Sequence, residues 1–390
     1  MKKTRLPFVV FILFLLFHTP ILSQCFDGFN PNGIRCGGTI QTAVPFLRIV
    51  PDARSGGMGD VGIALTPDAN SILYNASKLA MAEKKWGAAV NYSAWLRNLG
   101  VKDMYLLHGA GYYQFGEKRK QAIGFGIQYL SFGNTILTDF NATPINVGKA
   151  FDMAITGFYS RQLSDKWVMG LSGKYINSKL TIGTTPTGDT IYTGKAIAID
   201  ISATYKKLIP VLGIETNVLF GVVISNVGNP ISYNAVSNYL PTNLGIGGAW
   251  EINFNKNSRL LACIEFNKLL VITPQPVDTS NHSIDKYEGK PTSVVKSMFK
   301  SFADAPNGFK EELQEITTSF GLEYWFHQHI ALRAGYFHEN KNKGGRQYYT
   351  VGGGLRYKMV GFNVSYLLPT QNQRSPLDNT WRFSLLLNGV

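Results

Sequence analysis

Fourteen stretches of about ten residues, each alternating apolar with polar or small side chains, fill the chain from Trp86 to its last residues. A strand turns successive side chains to opposite faces, so each stretch has one apolar face and one mixed face. In the last of them Trp381, Phe383, Leu385 and Leu387 alternate with Arg382, Ser384 and Asn388, with Leu386 the one apolar exception. Farther back, Ile197, Ile199, Ile201, Ala203 and Tyr205 alternate with Ala198, Asp200, Ser202 and Thr204. Segments of this length and pattern belong to a closed barrel in lipid, where every backbone donor and acceptor must be paired within the protein. No later stretch reaches the run of about eighteen apolar residues that a spanning helix needs.

The expected fold is therefore all-β: a transmembrane antiparallel β-barrel of about 14 strands, with an N-terminal plug segment and short helices in an extracellular loop. The spacing between stretches supports this independently. Connections at 116–121, 162–166 and 255–258 are short and polar and those near 327–329 and 358–361 are short too, whereas those at 133–149, 178–195, 226–242 and 269–316 are long. Outer-membrane barrels have short periplasmic turns and longer extracellular loops. The alternation predicts an even strand number with the C-terminus in the periplasm. Trp86, Trp95, Trp167, Trp250, Trp325 and Trp381 fall at strand ends, where an aromatic girdle at headgroup level is expected. The stretch 216–225 is apolar on both faces and is the place to look for an apolar lumen pocket.

The first residues have the form of a secretory signal. Lys2, Lys3 and Arg5 precede an apolar core from Leu6 to Phe17, with a cleavage region ending near Ser23. The chain divides into a signal peptide at 1–23, an N-terminal segment and lumen plug at 24–85, and the barrel at 86–390. Cys25 and Cys36 lie close together in the exported segment; a local disulfide and two free thiols are both open, and Cys263 reads as a small lumen residue beside Glu265. The formal charge of +13 suits anionic headgroups, lipopolysaccharide included, or acidic partner surfaces. Nucleic acid is not an expected partner of an exported barrel.

Residues 44–82 break the alternation. This charged, Gly-rich segment directly before the first strand can fold back into the lumen, where Arg48, Asp52, Arg54 and Asp60 can pair with inward polar groups and Gly57, Met58 and Gly59 allow a tight path. Within it and just beyond, Pro45-Phe46-Leu47, Ala53-Arg54, Gly57-Met58-Gly59, Asp68-Ala69, Asn75, Leu79-Ala80 and Trp95-Leu96-Arg97-Asn98-Leu99 carry a family resemblance. The segment resembles the start of the PorV family, outer-membrane barrels of the type IX secretion system of Bacteroidetes that are related to FadL fatty-acid transporters. One departure is Asn75-Ala76-Ser77, where the wider group has Asn-Pro-Ala. The resemblance implies a non-enzymatic role in protein export. Its implied partners are a giant SprA/Sov-like translocon barrel, cargo C-terminal signal domains and a sortase-like PorU.

No enzyme is expected, and no cofactor or metal. His327 and His329 straddle Gln328 in a short turn and read as turn-exposed residues, and no Gly-x-Ser-x-Gly element occurs. Asp200, Glu251, Glu265 and Glu323 are expected to face the lumen with Lys174 and Arg382 as paired charges. A lipid-modifying enzyme would need a Ser and a His brought together at the bilayer edge.

The 269–316 connection contains two amphipathic helical patterns. Val294, Val295, Met298, Phe299 and Phe302 share one side, and after Pro306-Asn307-Gly308 a second stripe is formed by Phe309, Leu313 and Ile316 beside Glu311, Glu312 and Glu315. Two readings stand: a lid packed on the barrel mouth, or a docking surface in which Val295, Met298, Phe299, Phe302, Phe309 and Leu313 meet translocon or cargo. At the level of function, a secretion shuttle competes with FadL-like uptake of hydrophobic small molecules. Uptake needs a continuous apolar lumen pocket, whereas the inward residues here include many Gly, Asn and Ser.

Overall fold

The computed structural model describes residues 39–96, 103–138, 144–180, 183–184, 190–211, 214–233, 237–255, 257–273, 293–370 and 379–389. The signal segment, Cys25, Cys36 and the part of the family motif at 97–99 lie outside them. Fourteen antiparallel strands close into one barrel. They are β1 (Trp86–Ala94), β2 (Tyr105–Phe115), β3 (Gln121–Thr138), β4 (Pro144–Gln162), β5 (Trp167–Lys179), β6 (Gly194–Val211) and β7 (Ile214–Gly228). The second half comprises β8 (Asn243–Asn255), β9 (Ser258–Leu269), β10 (Thr317–Phe326), β11 (Ile330–His338), β12 (Gln347–Tyr357), β13 (Val360–Pro369) and β14 (Trp381–Gly389). Each pairs with its sequence neighbours, and β1 pairs with β14 through Trp86↔Gly389 and Tyr92↔Phe383, which leaves no free edge.

The alternation resolves into two surfaces. Phe125, Leu171, Ile197, Leu322, Leu332, Phe362 and Leu385 are exposed on the outside, a belt that only acyl chains can solvate favourably. Asn91, Gln128, Ser172, Asp200, Glu265, Glu323, Arg333 and Arg382 are buried on the inside. The protein is an integral membrane barrel, with its short turns at one end and its long connections at the other. His327 and Gln328 take left-handed φ values of 49° and 59° in the β10–β11 turn, a backbone conformation found in tight hairpin connections.

Two expectations are corrected. The third connection, expected over 133–149, is mostly strand, because β3 and β4 continue pairing past Ser131 with a register shift before Asn134. Gly133, at φ +77°, makes that irregularity possible. Nor do all six tryptophans form a girdle. Trp167, Trp250 and Trp381 are exposed outward, but Trp95 and Trp325 are buried. Trp325 shares the inward face of β10 with Glu323, and Trp95 packs with Phe46 and Leu106.

Residues 43–82 lie within the ring of strands. Three cores form between this segment and the wall: Phe46 with Trp95, Leu106 and Ile176; Met58, Val61 and Leu65 with Leu219 and Leu261; and Ile72 and Leu79 with Tyr112 and Phe158. The second core accounts for the doubly apolar strand at 216–225. Leu219 and Val223 on its inner face are buried, Leu219 in that core, and each also borders one of the two cavities beside the segment.

Candidate functional site: plugged lumen and helical rim

The lumen segment is held by polar bonds to strands all around the ring. A single helical turn at Ala53–Gly56 is capped by Asp52, whose Oδ2 accepts from Ser55 N at 2.9 Å and whose Oδ1 accepts from the Tyr74 hydroxyl. Ala53 N donates to Ser384 Oγ on β14 at 2.8 Å. The Arg54 guanidinium then forms a two-pronged bond to Glu323 on β10, Nε to Oε2 at 3.0 Å and Nη2 to Oε1 at 2.8 Å, and reaches Asp68 at 3.0 Å. Glu323 also accepts from Arg333 Nε at 2.7 Å. Burying four charges together is tolerable because each meets its opposite at hydrogen-bond distance.

Asp60 bonds Arg382 Nη1 at 2.8 Å and the Tyr348 hydroxyl at 2.6 Å. Glu265 accepts from the backbone N–H groups of Gly62 and Ile63 at 2.7 and 2.8 Å. Asn75 donates to Ile63 O and Thr204 Oγ1 while its Oδ1 accepts from Ser77. Ser77 thus uses its hydroxyl at the position where the wider group has Ala, and Ala76 begins the following 3-10 turn in place of Pro. Of the four charged residues expected to pair with the wall, Arg54 and Asp60 do so. Asp52 works within the segment, and Arg48 forms no ion pair among the described residues.

At the Gly-Met-Gly run, backbone meets backbone. A Cβ on Gly335 of β11 would lie 2.0 Å from Gly59 N, and one on Gly57 would lie 3.1 Å from the Gly352 Cα of β12. Gly59 itself has φ +70° and donates to Thr350 Oγ1 at 2.8 Å. Only glycines on both sides let the segment run this close to the wall.

Two cavities flank the segment. One of about 110 Å³ lies toward the extracellular loops, lined by Arg48, Lys174, Asn226, Asn243, Glu265 and Tyr348 among others. The other, about 150 Å³, lies toward the short turns and is lined by Arg54, Arg259, Trp325, Arg333 and Arg356 among others. Both are small and of mixed lining, with apolar residues such as Ile49, Val223 and Phe337 in the first and Leu219, Leu355 and Leu386 in the second. Asp200, Glu251, Glu265, Glu323, Lys174 and Arg382 all face inward and are buried.

The long connection before β10 carries two short helices, α1 (Val294–Lys300) and α2 (Phe309–Gln314). Their amphipathicity is inverted relative to a lid. The buried side of α1 is Ser297, followed by Ser301 and Ala305, and α2 buries Glu311 and Glu312. Val295, Phe299, Phe302, Phe309 and Leu313 are exposed, Phe299 and Phe309 at 76% each; Met298 is half-buried. The acidic side is tied to strands. Lys268 Nζ donates to Glu312 at 2.9 Å and Glu315 at 2.6 Å, and Lys343 Nζ to Glu311 at 2.6 Å and Glu315 at 3.0 Å. Glu312 also accepts from the backbone N–H groups of Asp304 and Ala305, both at 2.8 Å. Burial pushes the Glu311 and Glu312 carboxyls up. The bonds and charge of Lys343 and Lys268 respectively outweigh it and hold both below the ordinary glutamate range.

Lys268 was not among the expected site residues. Its position in the alternation puts it on the outward face of β9 with Ile264 and Phe266, opposite Leu244 of β8. An ammonium on that face is costly unless neutralised, and α2 supplies the carboxylates. The helical rim is therefore fastened at the outer side of β9. A basic residue breaking the apolar face at a strand end, with an acidic helix following, is the signal that could have found it.

A family model described as type IX secretion system protein PorV matches residues 35–276. Similar solved structures include the toluene transporter TbuX of Ralstonia pickettii, 11% identical over 88% of this chain and 99% of that one, with a TM-score of 0.46. The toluene transporter TodX of Pseudomonas putida is 12% identical over 88% and 99%, with a TM-score of 0.45. A FadL homologue of Pseudomonas aeruginosa is 10% identical over 90% and 99%, with a TM-score of 0.43. No curated protein matches the chain.

Proposed function

The chain belongs to the PorV family of type IX secretion system proteins, and we propose that within that system it binds the giant translocon barrel and passes cargo bearing a C-terminal signal domain to the surface attachment machinery, a sortase-like PorU included. The observation that carries this reading is the inverted helical rim. A water-facing loop gains nothing by turning Phe299, Phe302 and Phe309 outward while burying three glutamates. A surface that meets another protein gains about 1.5–3 kcal/mol for each such side chain it buries. The fastening of α2 to the outward-facing Lys268 favours a partner lying alongside in the membrane, which suits the translocon better than cargo arriving from above. The plugged lumen fits a binding role. FadL-like uptake of hydrophobic molecules would need a continuous apolar passage, and the two cavities beside the segment are small and of mixed lining.

Affinity purification of the tagged protein from native membranes tests this. The wild type should retain a giant barrel and proteins sharing a C-terminal signal domain. Phe299→Asp with Phe309→Asp should weaken translocon retention by about a hundredfold or more, the equivalent of losing two buried aromatic side chains, while the barrel keeps its heat-modifiable migration. A wild type that retains no giant barrel, or a double variant that retains it fully, would defeat the proposal.

A further inference from the structure

The cavity at the periplasmic mouth has features that plug packing alone does not use. Three guanidiniums crowd one indole: the Arg356, Arg259 and Arg333 Cζ atoms lie 4.5, 5.5 and 5.7 Å from the Trp325 ring centroid. By strand alternation all four residues face the lumen. Stacking on an aromatic face steadies a guanidinium but does not neutralise it.

The carboxylates nearby fall short. Glu323 and Asp68 serve Arg54, and Glu323 also serves Arg333. Glu251 is bonded by Asn217 at 3.0 Å and stands 3.6 Å from Arg259, beyond good hydrogen-bond range. Arg356 has no carboxylate partner among the described residues. Four guanidiniums thus meet three carboxylates, and farther out at the mouth Lys84, Lys206 and Lys358 outnumber Glu83.

Donors are also left over. Arg333 Nη2, Arg259 Nε and Trp325 Nε1 are buried and have no hydrogen-bond acceptor, although Arg333 and Trp325 are only 4% and 3% exposed. A buried donor without an acceptor costs about 1–3 kcal/mol, more when charged. The residues that carry these three donors line one cavity of net positive charge, where Glu251 Oε2 also lacks a hydrogen-bond partner; small side-chain turns would bring the guanidinium forks onto an oxyanion, whose oxygens they match two at a time.

We propose that this periplasmic-mouth cavity is a binding site for a phosphate-type oxyanion, recognised by Arg259, Arg333 and Arg356 with the Trp325 indole N–H as a further donor. The anion is either free phosphate or the phosphate of a lipid headgroup. Because Arg54 and Asp68 line the same cavity, bound anion also steadies the plug against the wall.

The test uses the full-length protein in neutral detergent, titrated calorimetrically with inorganic phosphate at constant ionic strength. Saturable binding is expected, together with a phosphate-dependent rise in the barrel's thermal transition. Arg259→Gln with Arg356→Gln should weaken binding on the order of tenfold or more, and Trp325→Phe by a smaller factor. Arg48→Gln, at the opposite mouth, should leave it unchanged, and heat-modifiable migration checks that each variant folds. Repeating the titration in nanodiscs separates the sources. Weaker binding in phosphatidylcholine nanodiscs, whose headgroups carry phosphate without net charge, than in the phosphate-free detergent identifies a headgroup as the occupant, and equal binding identifies a soluble anion. Absence of saturation in detergent, or affinity unchanged in the folded double arginine variant, overturns the proposal.

Discussion

Glu323 shows how much can rest on one side chain. It is fully buried and compensates both Arg54 of the plug and Arg333 of the wall. Glu323→Gln keeps the shape and removes the charge, leaving Arg333 with amide oxygens alone, Asn363 Oδ1 at 3.0 Å among them, and no carboxylate. Breaking a buried pair from one side costs about 3–5 kcal/mol. We expect a clearly lower temperature of heat modification, measured by electrophoretic migration, and partial recovery in Glu323→Gln with Arg54→Met, which also removes one of the stranded cations. Inward charge on these strands was legible from the sequence, because parity in the alternation assigns the face. The same parity places Trp325 beside Glu323. Tryptophan at a strand end is common at headgroup level, but here parity is the better guide to its face. Arg48 marks the opposite limit. Its charge suggested a wall partner, but pairing depends on which strand lies opposite, and none of the described residues forms an ion pair with it.

At the scale of elements, the helical rim argues for attention to what a helix buries rather than to its apolar stripe. Period and breaker residues placed both helices, yet the stripe alone cannot say which side faces the barrel. Lys268 and Lys343 decide that by drawing the glutamates inward. A pH dependence follows. Both Glu311 and Glu312 have folded pKa values below the ordinary ones. Their contribution is therefore complete above the unfolded value of about 4.3 and is lost as pH falls through the lower folded values. Limited proteolysis with an acid-tolerant protease should find 293–316 protected at neutral pH and increasingly cut only below the usual glutamate range, with the barrel intact. Cleavage that is already full at neutral pH would contradict the anchoring. The β3–β4 extension past Ser131 is a different kind of miss. Backbone pairing continues there through a Gly-permitted irregularity, and a polar run with interrupted alternation carries no signal of it.

For the whole molecule, the decisive property is closure twice over: strands closing on themselves, and a segment closing the lumen they make. The contact of Gly59 with Gly335 is where the second closure is tightest. Gly335→Val places its side chain where the Gly59 backbone now runs and should push the plug from that wall. In planar bilayers the wild type should show negligible steady conductance and the variant discrete open events, with heat-modifiable migration retained in both. Equal conductance would mean that the segment does not seal the lumen.

The chain's period-two pattern was enough by itself to determine a closed membrane sheet and its strand number, because lipid admits no unpaired backbone and the side-chain period maps residue parity directly onto inside and outside. The Gly-rich lead segment and its family motif were likewise legible in one dimension. Tertiary structure alone decided which inward charges meet, which way the rim helices turn and where three guanidiniums gather on one indole. Those depend on distances between residues far apart in sequence, and such distances exist only once the ring has closed.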